Sequence, residues 1–357
     1  MPGPHLSQWV TVLKQAAFGL TAMLAASVSV PSAHADGAFP IKTSTIDRFR
    51  IGRSQSVFGP LTFLGGLELS SRTKSFGGLS GIRTLDNGTT FLTVSDTGRW
   101  FEMELSHQDF KPVSATLKRS GVLLDRSGRP PRRKWQSDAE ALEVIGKDRA
   151  LVSYEGRSRI WSYSLKGGAI EGRPTQIALP KAISSVRGNK GLEALAVFEG
   201  RQEKVVALFE RQLDQAGHHT GWLRDNGRWH RISIPRKVAF DITDAAFLDT
   251  GGLLILERSF SYSDGVRMHI RHFPPHRIKP GFFGSGQSLI EADLSDQIDN
   301  MEGLSVHTGR DGQIVLTLIS DDNFNLLQRT ILLQFALDTA QLHSGIPTPE
   351  KRPATDP

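Results

Sequence analysis

The 357-residue chain contains no cysteine, which excludes thiolate nucleophiles, disulfide frameworks and cysteine metal sites. Chemistry is left to oxygen, nitrogen or a bound ion. Also missing are a phosphate-binding loop of the nucleotide-hydrolase type and a dinucleotide-binding fingerprint. A nucleophile elbow requires glycine two residues either side of serine; Ser80 has Gly78 and Ile82, Ser285 has Phe283 and Gln287, and neither qualifies. Long helical periodicity is absent after residue 36, and so is any further stretch apolar enough to span a bilayer.

One apolar run does stand out, residues 16–30, followed at once by Pro31 and then by Ala33-His34-Ala35, whose alanines sit where a signal peptidase reads. At about 15 residues it is short for a membrane span, which needs about 20. Residues 1–35 therefore read as a cleaved signal peptide. No twin-arginine pair precedes the run, so general secretion is the expected route to the periplasm or the medium. The mature chain, from Asp36, is expected to be soluble.

Hydrophobic residues make up 38% and charged residues 22% of the chain, enough for an ordinary globular core. A formal net charge of +6 favours anionic partners. Within this composition one short pattern recurs: an acidic residue opens an apolar strand, a turn follows, and a second strand closes on another acid. The copies are Ser80-Gly81-Ile82 with Val94-Ser95-Asp96, Glu140-Ala141-Leu142 with Ser153-Tyr154-Glu155, and Glu193-Ala194-Leu195 with Leu208-Phe209-Glu210. Asp244-Ala245-Ala246 with Leu256-Glu257 and Glu302-Gly303-Leu304 with Ser320-Asp321-Asp322 complete the set. A spacing of roughly 50 to 60 residues belongs to a propeller or solenoid.

The second strands, at 91–94, 150–154, 204–209, 253–256 and 314–319, are nearly continuous apolar runs, each preceded by turn chemistry such as Asp86-Asn87-Gly88. Such runs suit strands buried on both faces, as inside propeller blades. Third strands are legible at 99–105, 159–165, 266–273 and 329–337. The fold class expected is all-β: a β-propeller with five countable repeat units over residues 36–340, or six blades if residues 46–71 supply extra strands. Residues near 61–69 would then complete the last sheet and fasten the ring. Residues 341–357, rich in proline and polar groups, read as a disordered tail.

In an antiparallel hairpin the start of the first strand faces the end of the second. Glu140 and Glu155, Glu193 and Glu210, and Asp244 and Glu257 are thus expected to be neighbours, all converging on one mouth of the central channel. Gathered carboxylates repel unless a cation, shared protons or arginines compensate. Arg99, Arg157, Arg211 and Arg258 follow the second strands and supply one compensation, a ring of ion pairs between blades. The other is a hard-cation site, Ca²⁺ for example, built from Asp96, Glu140, Glu155, Glu193, Glu210, Asp244, Glu257, Glu302 and Asp321, with the four arginines binding an anion such as phosphate. Both readings stand on the residues alone.

The histidines add little. His269 and His272 fall on opposite faces of their strand, and His218-His219 lies in a polar loop. The basic run 126–134 reads as a loop on one face of the disc, solvated or clamping a polyanion. Nucleic acid is not an expected partner, because no recognisable binding fold with interleaved aromatics accompanies it.

The segments Gly77-Gly78-Leu79-Ser80-Gly81-Ile82, Val94-Ser95-Asp96-Thr97-Gly98-Arg99, Asp138-Ala139-Glu140-Ala141-Leu142, Gly191-Leu192-Glu193-Ala194-Leu195 and Asn300-Met301-Glu302-Gly303-Leu304 occur in that order and are followed by Ser320-Asp321-Asp322-Asn323-Phe324. Over about residues 57–338 the chain resembles the bacterial phytase-like family, also called the esterase-like-activity-of-phytase family. The resemblance implies an exported propeller and, through the calcium-dependent propeller phytases, phosphate-ester hydrolysis assisted by Ca²⁺.

The expected function is accordingly a metal-assisted hydrolase of phosphate esters acting on a small phosphorylated ligand. Glu140, Glu193, Asp244 and Glu302 are the candidate catalytic acids, and no single general base is chosen among them. Two alternatives use the same face: a non-catalytic propeller that binds an anionic ligand or a protein partner, and a Ca²⁺-dependent carboxylic esterase or lactonase.

Overall fold

The computed structural model describes residues 37–342, apart from 189, 190 and 238. The signal peptide read at 1–35 and the tail from 343 onward lie outside the described residues. Five sheets, antiparallel except where Gly281–Phe282 pairs parallel with Arg228–Ile234 at the outer edge of one of them, form the blades of a β-propeller. Blades 1 to 4 begin with the inner strands Leu79–Thr84, Ala139–Ile145, Leu192–Glu199 and Asp241–Phe247, and the inner strand of blade 5 is Asn300–Thr308. Each inner strand packs beside the inner strands of its two neighbours, so the five close into a ring around one axis.

Every blade then steps outward through hairpins, as the apolar runs and turns predict. Blade 1 continues through Thr90–Ser95, Arg99–Gln108 and Lys111–Val122; blade 2 through Arg149–Tyr154, Arg159–Lys166 and Ala169–Gln176. Continuous apolar second strands such as Leu253–Ser261 are buried on both faces because each sheet is sandwiched between two others. The core is correspondingly divided into five clusters, one per blade interface. Leu92, Val94 and Trp100 of blade 1 meet Leu142 and Val152 of blade 2, and Leu254 and Ile270 of blade 4 meet Leu318 and Leu333 of blade 5.

The ring closes on blade 5, where Thr330–Leu337 pairs antiparallel with Leu61–Ser70, and Lys42–Ile46 adds the outermost strand. Residues 46–71 thus complete the fifth sheet and form no sixth. Phe49 stacks edge-on against Phe335 with centroids 5.0 Å apart, and also against Phe58 at 5.0 Å. These contacts pin the early chain to the last blade. Helices among the described residues are single turns, Lys134–Ser137 and Lys181–Ser184, apart from short 3₁₀ turns, and none is long or apolar enough to cross a membrane.

A β-bulge near the start of each inner strand sets the architecture of one mouth. Pairing jumps from Leu79↔Ser95 to Gly81↔Val94 in blade 1, and from Leu192↔Phe209 to Ala194↔Leu208 in blade 3. Blade 2 jumps after Ala139↔Tyr154, blade 4 after Ile242↔Glu257 and blade 5 after Met301↔Ser320. One extra residue per blade is left out of the ladder and re-aimed, as bulges do.

Candidate functional site

The residues freed by the five bulges are Ser80, Glu140, Glu193, Thr243 and Glu302. Beside them, the residue that follows the last second-strand partner before the bulge, Ser95, Tyr154, Phe209, Glu257 or Ser320, is Asp96, Glu155, Glu210, Arg258 or Asp321. In the first three blades its N–H donates to the carbonyl of the residue two before the bulge: Asp96 to Gly78 at 3.0 Å, Glu155 to Asp138 at 3.0 Å and Glu210 to Gly191 at 3.4 Å. Two rings of five positions therefore surround the mouth. Three carboxylates occupy the first, four carboxylates and one guanidinium the second.

Carboxylate oxygens of Asp138, Glu140 and Glu155 all lie within 4.8 Å of one another, and so do those of Glu155, Glu193 and Glu210. Glu155 is common to both triplets. Glu155, Glu193, Glu210 and Glu302 are buried, while Glu140 is half-buried. Burial raises the pKa of Glu193 far above the carboxylate range, and the charges of Glu140, Glu210, Glu155 and Glu302 add to it. Glu140 is raised in the same way, by burial and then by Asp138, Glu155, Glu302 and Asp96. Burial and Asp138 push Glu155 up to about 7, and burial, opposed by the Asn323 N–H, leaves Asp321 at about 8.

Cations meet this field at the edges. Arg258 Nε lies 2.8 Å from Glu302 Oε1, and its Nη2 lies 3.6 Å from Glu210 Oε1. Arg211 Nε donates to Asp241 Oδ2 at 2.6 Å, and its Nη2 lies 3.6 Å from Glu210 Oε1. Lys134, the last residue of the basic run, is carried into the mouth by the turn Lys134–Ser137 and bridges Asp96 Oδ2 at 2.6 Å and Asp138 Oδ1 at 2.7 Å. Asn300 Nδ2 donates to Glu302 Oε1 at 2.9 Å.

Gly77 and Gly78 allow this crowding. Gly78 has φ +62°, and a Cβ there would lie 2.3 Å from Asp96 Oδ1; at Gly77 it would lie 2.7 Å from Asp322 Oδ1. The Gly78 N–H instead donates to Asp322 Oδ1 at 2.9 Å. Asp322 thereby fastens blade 5 to blade 1, and Asp321 is the acid that takes the ring position.

Two expected members are elsewhere. In blade 4 the bulge falls on Thr243, so the ring positions belong to Thr243 and Arg258, and the pattern read at Asp244 and Glu257 is one residue out of register. Thr243 Oγ1 donates to the Met301 carbonyl at 3.1 Å. Asp244 aligns with Gly81, Ala141, Ala194 and Gly303, small because neighbouring inner strands touch there; a Cβ on Gly81 would stand 2.7 Å from Leu142 N. Asp244 instead plugs the channel with Arg83. The guanidinium donates to Asp244 Oδ2 at 2.8 Å and to the carbonyls of Ile82, Leu195, Ala245 and Leu304 at 2.7 to 2.8 Å, with Nε 3.3 Å from Glu143 Oε2. Arg83 thus touches all five blades. Glu257 faces away from the axis, bound to His269 and Arg271.

The arginines divide similarly. Arg258 lies within the ring and Arg211 at its edge, but Arg157 stacks over Trp135 at 4.1 Å, and Arg99 opens the third strand of blade 1 opposite Ser95. Lys134, Asp138 and Asp241 were not among the expected site residues. Asp138 and Asp241 share the register position of Gly78, Gly191 and Asn300, a signal visible only once the bulges are aligned.

A family model described as "Phytase-like: Esterase-like activity of phytase" matches residues 74–324. No curated protein matches the chain. Among solved structures, a glucose dehydrogenase is similar at 12% identity and TM-score 0.39, covering 76% of this chain and 98% of its own. "Structure of U3-55K" is similar at 9% identity and TM-score 0.40, with 78% and 98% covered, and a Dos1 propeller at 7% and 0.34, with 82% of each covered.

Proposed function

Because the chain belongs to the phytase-like family, we propose that it is an exported hydrolase of phosphate esters whose propeller mouth holds a hard cation such as Ca²⁺ and a phosphoryl group side by side. The observation that carries this reading is the mixed composition of the second ring: carboxylates at Asp96, Glu155, Glu210 and Asp321, and Arg258 alone at the fifth equivalent position.

The donor chemistry fits a hard cation. Both triplets offer carboxylate oxygens only, with no histidine, as calcium-type ions require. Like charges at this spacing and burial hold protons near neutrality, and a divalent ion would replace them. Glu155, Glu193 and Glu210, with Asp138 beside them, would hold it. When bound, such an ion supplies charge stabilisation at a phosphoryl oxygen and lowers the pKa of water.

The remaining work falls to this chain's own side chains. Arg258, held between Glu302 and Glu210, is oriented to donate to phosphoryl oxygens as charge builds on them. Arg211 and Lys134 flank the mouth and draw in an anionic substrate. Glu140 combines a raised pKa with access to solvent, so its carboxyl can hand a proton to a leaving alkoxide. Arg99 and Arg157 have no part in this scheme.

Turnover of p-nitrophenyl phosphate and phytate by the purified mature protein, with Ca²⁺ and with chelator, tests it. Release of phosphate that needs Ca²⁺ and falls by at least about 100-fold in Arg258→Met is expected. No turnover in either condition, with phosphate still bound, would establish a non-catalytic binding propeller. Turnover of lactones or carboxylic esters alone, dependent on Ca²⁺, would move the same residues to carboxyl chemistry.

A further inference from the structure

On the outer part of blade 4, away from the mouth, three side chains on three adjacent strands are in line. Glu257 lies on Leu253–Ser261, His269 on Gly265–Phe273 and Ser288 on the outermost strand Gln287–Ala292. Glu257 Oε2 is 3.0 Å from His269 Nδ1, and His269 Nε2 is 2.8 Å from Ser288 Oγ. Glu257 is 0% and His269 2% exposed, whereas Ser288 is exposed.

The hydrogen-bond inventory fixes the roles. An ionised carboxylate only accepts, so His269 Nδ1 carries the hydrogen toward Glu257, which leaves Nε2 facing Ser288 Oγ as the atom able to take its proton. Arg271 keeps the acid in place, its Nε donating to Glu257 Oε2 at 2.8 Å and its Nη2 bonding Oε1, while Nη1 is tied to the carbonyls of Pro235 and Ser285 at 3.0 and 2.9 Å. Burial alone would raise the Glu257 pKa, but the bond from His269 and the charge of Arg271 outweigh it and keep the carboxyl ionised. The Phe240 ring, 5.4 Å away, closes the other side of the imidazole.

We propose that Ser288, His269 and Glu257 form a metal-independent serine esterase site, separate from the mouth and acting on short-chain carboxylic esters. No nucleophile elbow is needed, because the sheet itself supplies the alignment. A groove of about 580 Å³ adjoins Ser288, lined by Gly286, Phe283 and Pro274 as apolar wall and by Arg277 as a cation. Ser288 Oγ bonds to the ester carbonyl carbon as its proton passes to His269 Nε2. The carbonyl carbon–alkoxy bond then breaks, and that proton leaves with the alcohol. Water attacks the acyl carbon, gives a proton to His269, releases the carboxylic acid and restores the Ser288 hydroxyl. Glu257 and Arg271 are positioning residues.

The test uses a fluorophosphonate probe on the mature protein, with the modified residue mapped by mass spectrometry, beside hydrolysis of p-nitrophenyl butyrate. Labelling of Ser288 is expected, with ester hydrolysis that persists in chelator and falls by at least about 100-fold in Ser288→Ala. Ser288 is exposed on an edge strand, so that variant keeps the fold, and a wild-type melting curve verifies it. His269→Gln should lose labelling as well. An unmodified Ser288, or ester hydrolysis in Ser288→Ala equal to wild type, overturns the proposal.

Discussion

A single guanidinium, that of Arg83, ties the five inner strands together at the bottom of the mouth. Its side chain and that of Asp244 are 6% and 1% exposed, so neither charge has water to fall back on. Breaking a buried pair by removing one partner costs about 3 to 5 kcal/mol, because the other charge is left uncompensated. Arg83→Met should therefore lower the free energy of urea unfolding by about that amount, and Arg83→Met with Asp244→Leu should cost less than Arg83→Met alone. If the single variant unfolds like wild type, the plug contributes nothing to closure. Asp244 also explains why burial raises its pKa without making it a working acid: Arg83 opposes the shift and occupies both oxygens.

At the scale of the element, the bulge decides which side chain meets the axis. The glycine pair before blade 1 shows how little room remains. Gly78→Ala combines a φ of +62° with a Cβ 2.3 Å from Asp96 Oδ1, so Asp96 has to move away from Lys134 and the Gly78 N–H from Asp322. A loss of about 1 to 3 kcal/mol in the free energy of urea unfolding is expected; a variant matching wild type would show that the loop is not under this constraint. The same bulges explain what the sequence did and did not reveal. Apolar runs and turns made the hairpins legible, and Glu140, Glu193 and Glu302 follow from them. Blade 4 misleads because Asp244-Ala245-Ala246 mimics Glu193-Ala194-Leu195, while the true anchor is the apolar residue ahead of the bulge: Leu79, Ala139, Leu192, Ile242, Met301. A one-residue slip turns a side chain to the opposite face. It sends Glu257 to His269 and brings Arg258 to the mouth.

At the scale of the whole molecule, closure was legible because residues 61–69 read as the strand that completes the last sheet, and they pair with Thr330–Leu337. Less legible was the balance of charge around the axis, since contacts such as Lys134 to Asp96 join segments far apart in the chain. That balance gives the protein a pH dependence. Folded carboxyls with raised pKa values keep protons that the unfolded chain has already released above about pH 4.5. Stability should therefore fall as pH rises from the ordinary carboxylate range through about 7, for Glu155, to about 8, for Asp321. Melting temperatures in chelator are expected to drop steadily from pH 5 to pH 8, and less steeply with Ca²⁺ present. A flat or rising profile in chelator would mean that Lys134, Arg211 and Arg258 already neutralise the mouth.

Calorimetric titration of chelator-stripped protein with Ca²⁺ at pH 7.5, wild type against Glu193→Gln, reaches the claim that these acids gather around an ion. Saturable binding by the wild type, with a dissociation constant of ~1 mM or tighter, and its loss in Glu193→Gln is the predicted result. An absence of binding up to ~10 mM Ca²⁺, or equal binding by the two proteins, would contradict it.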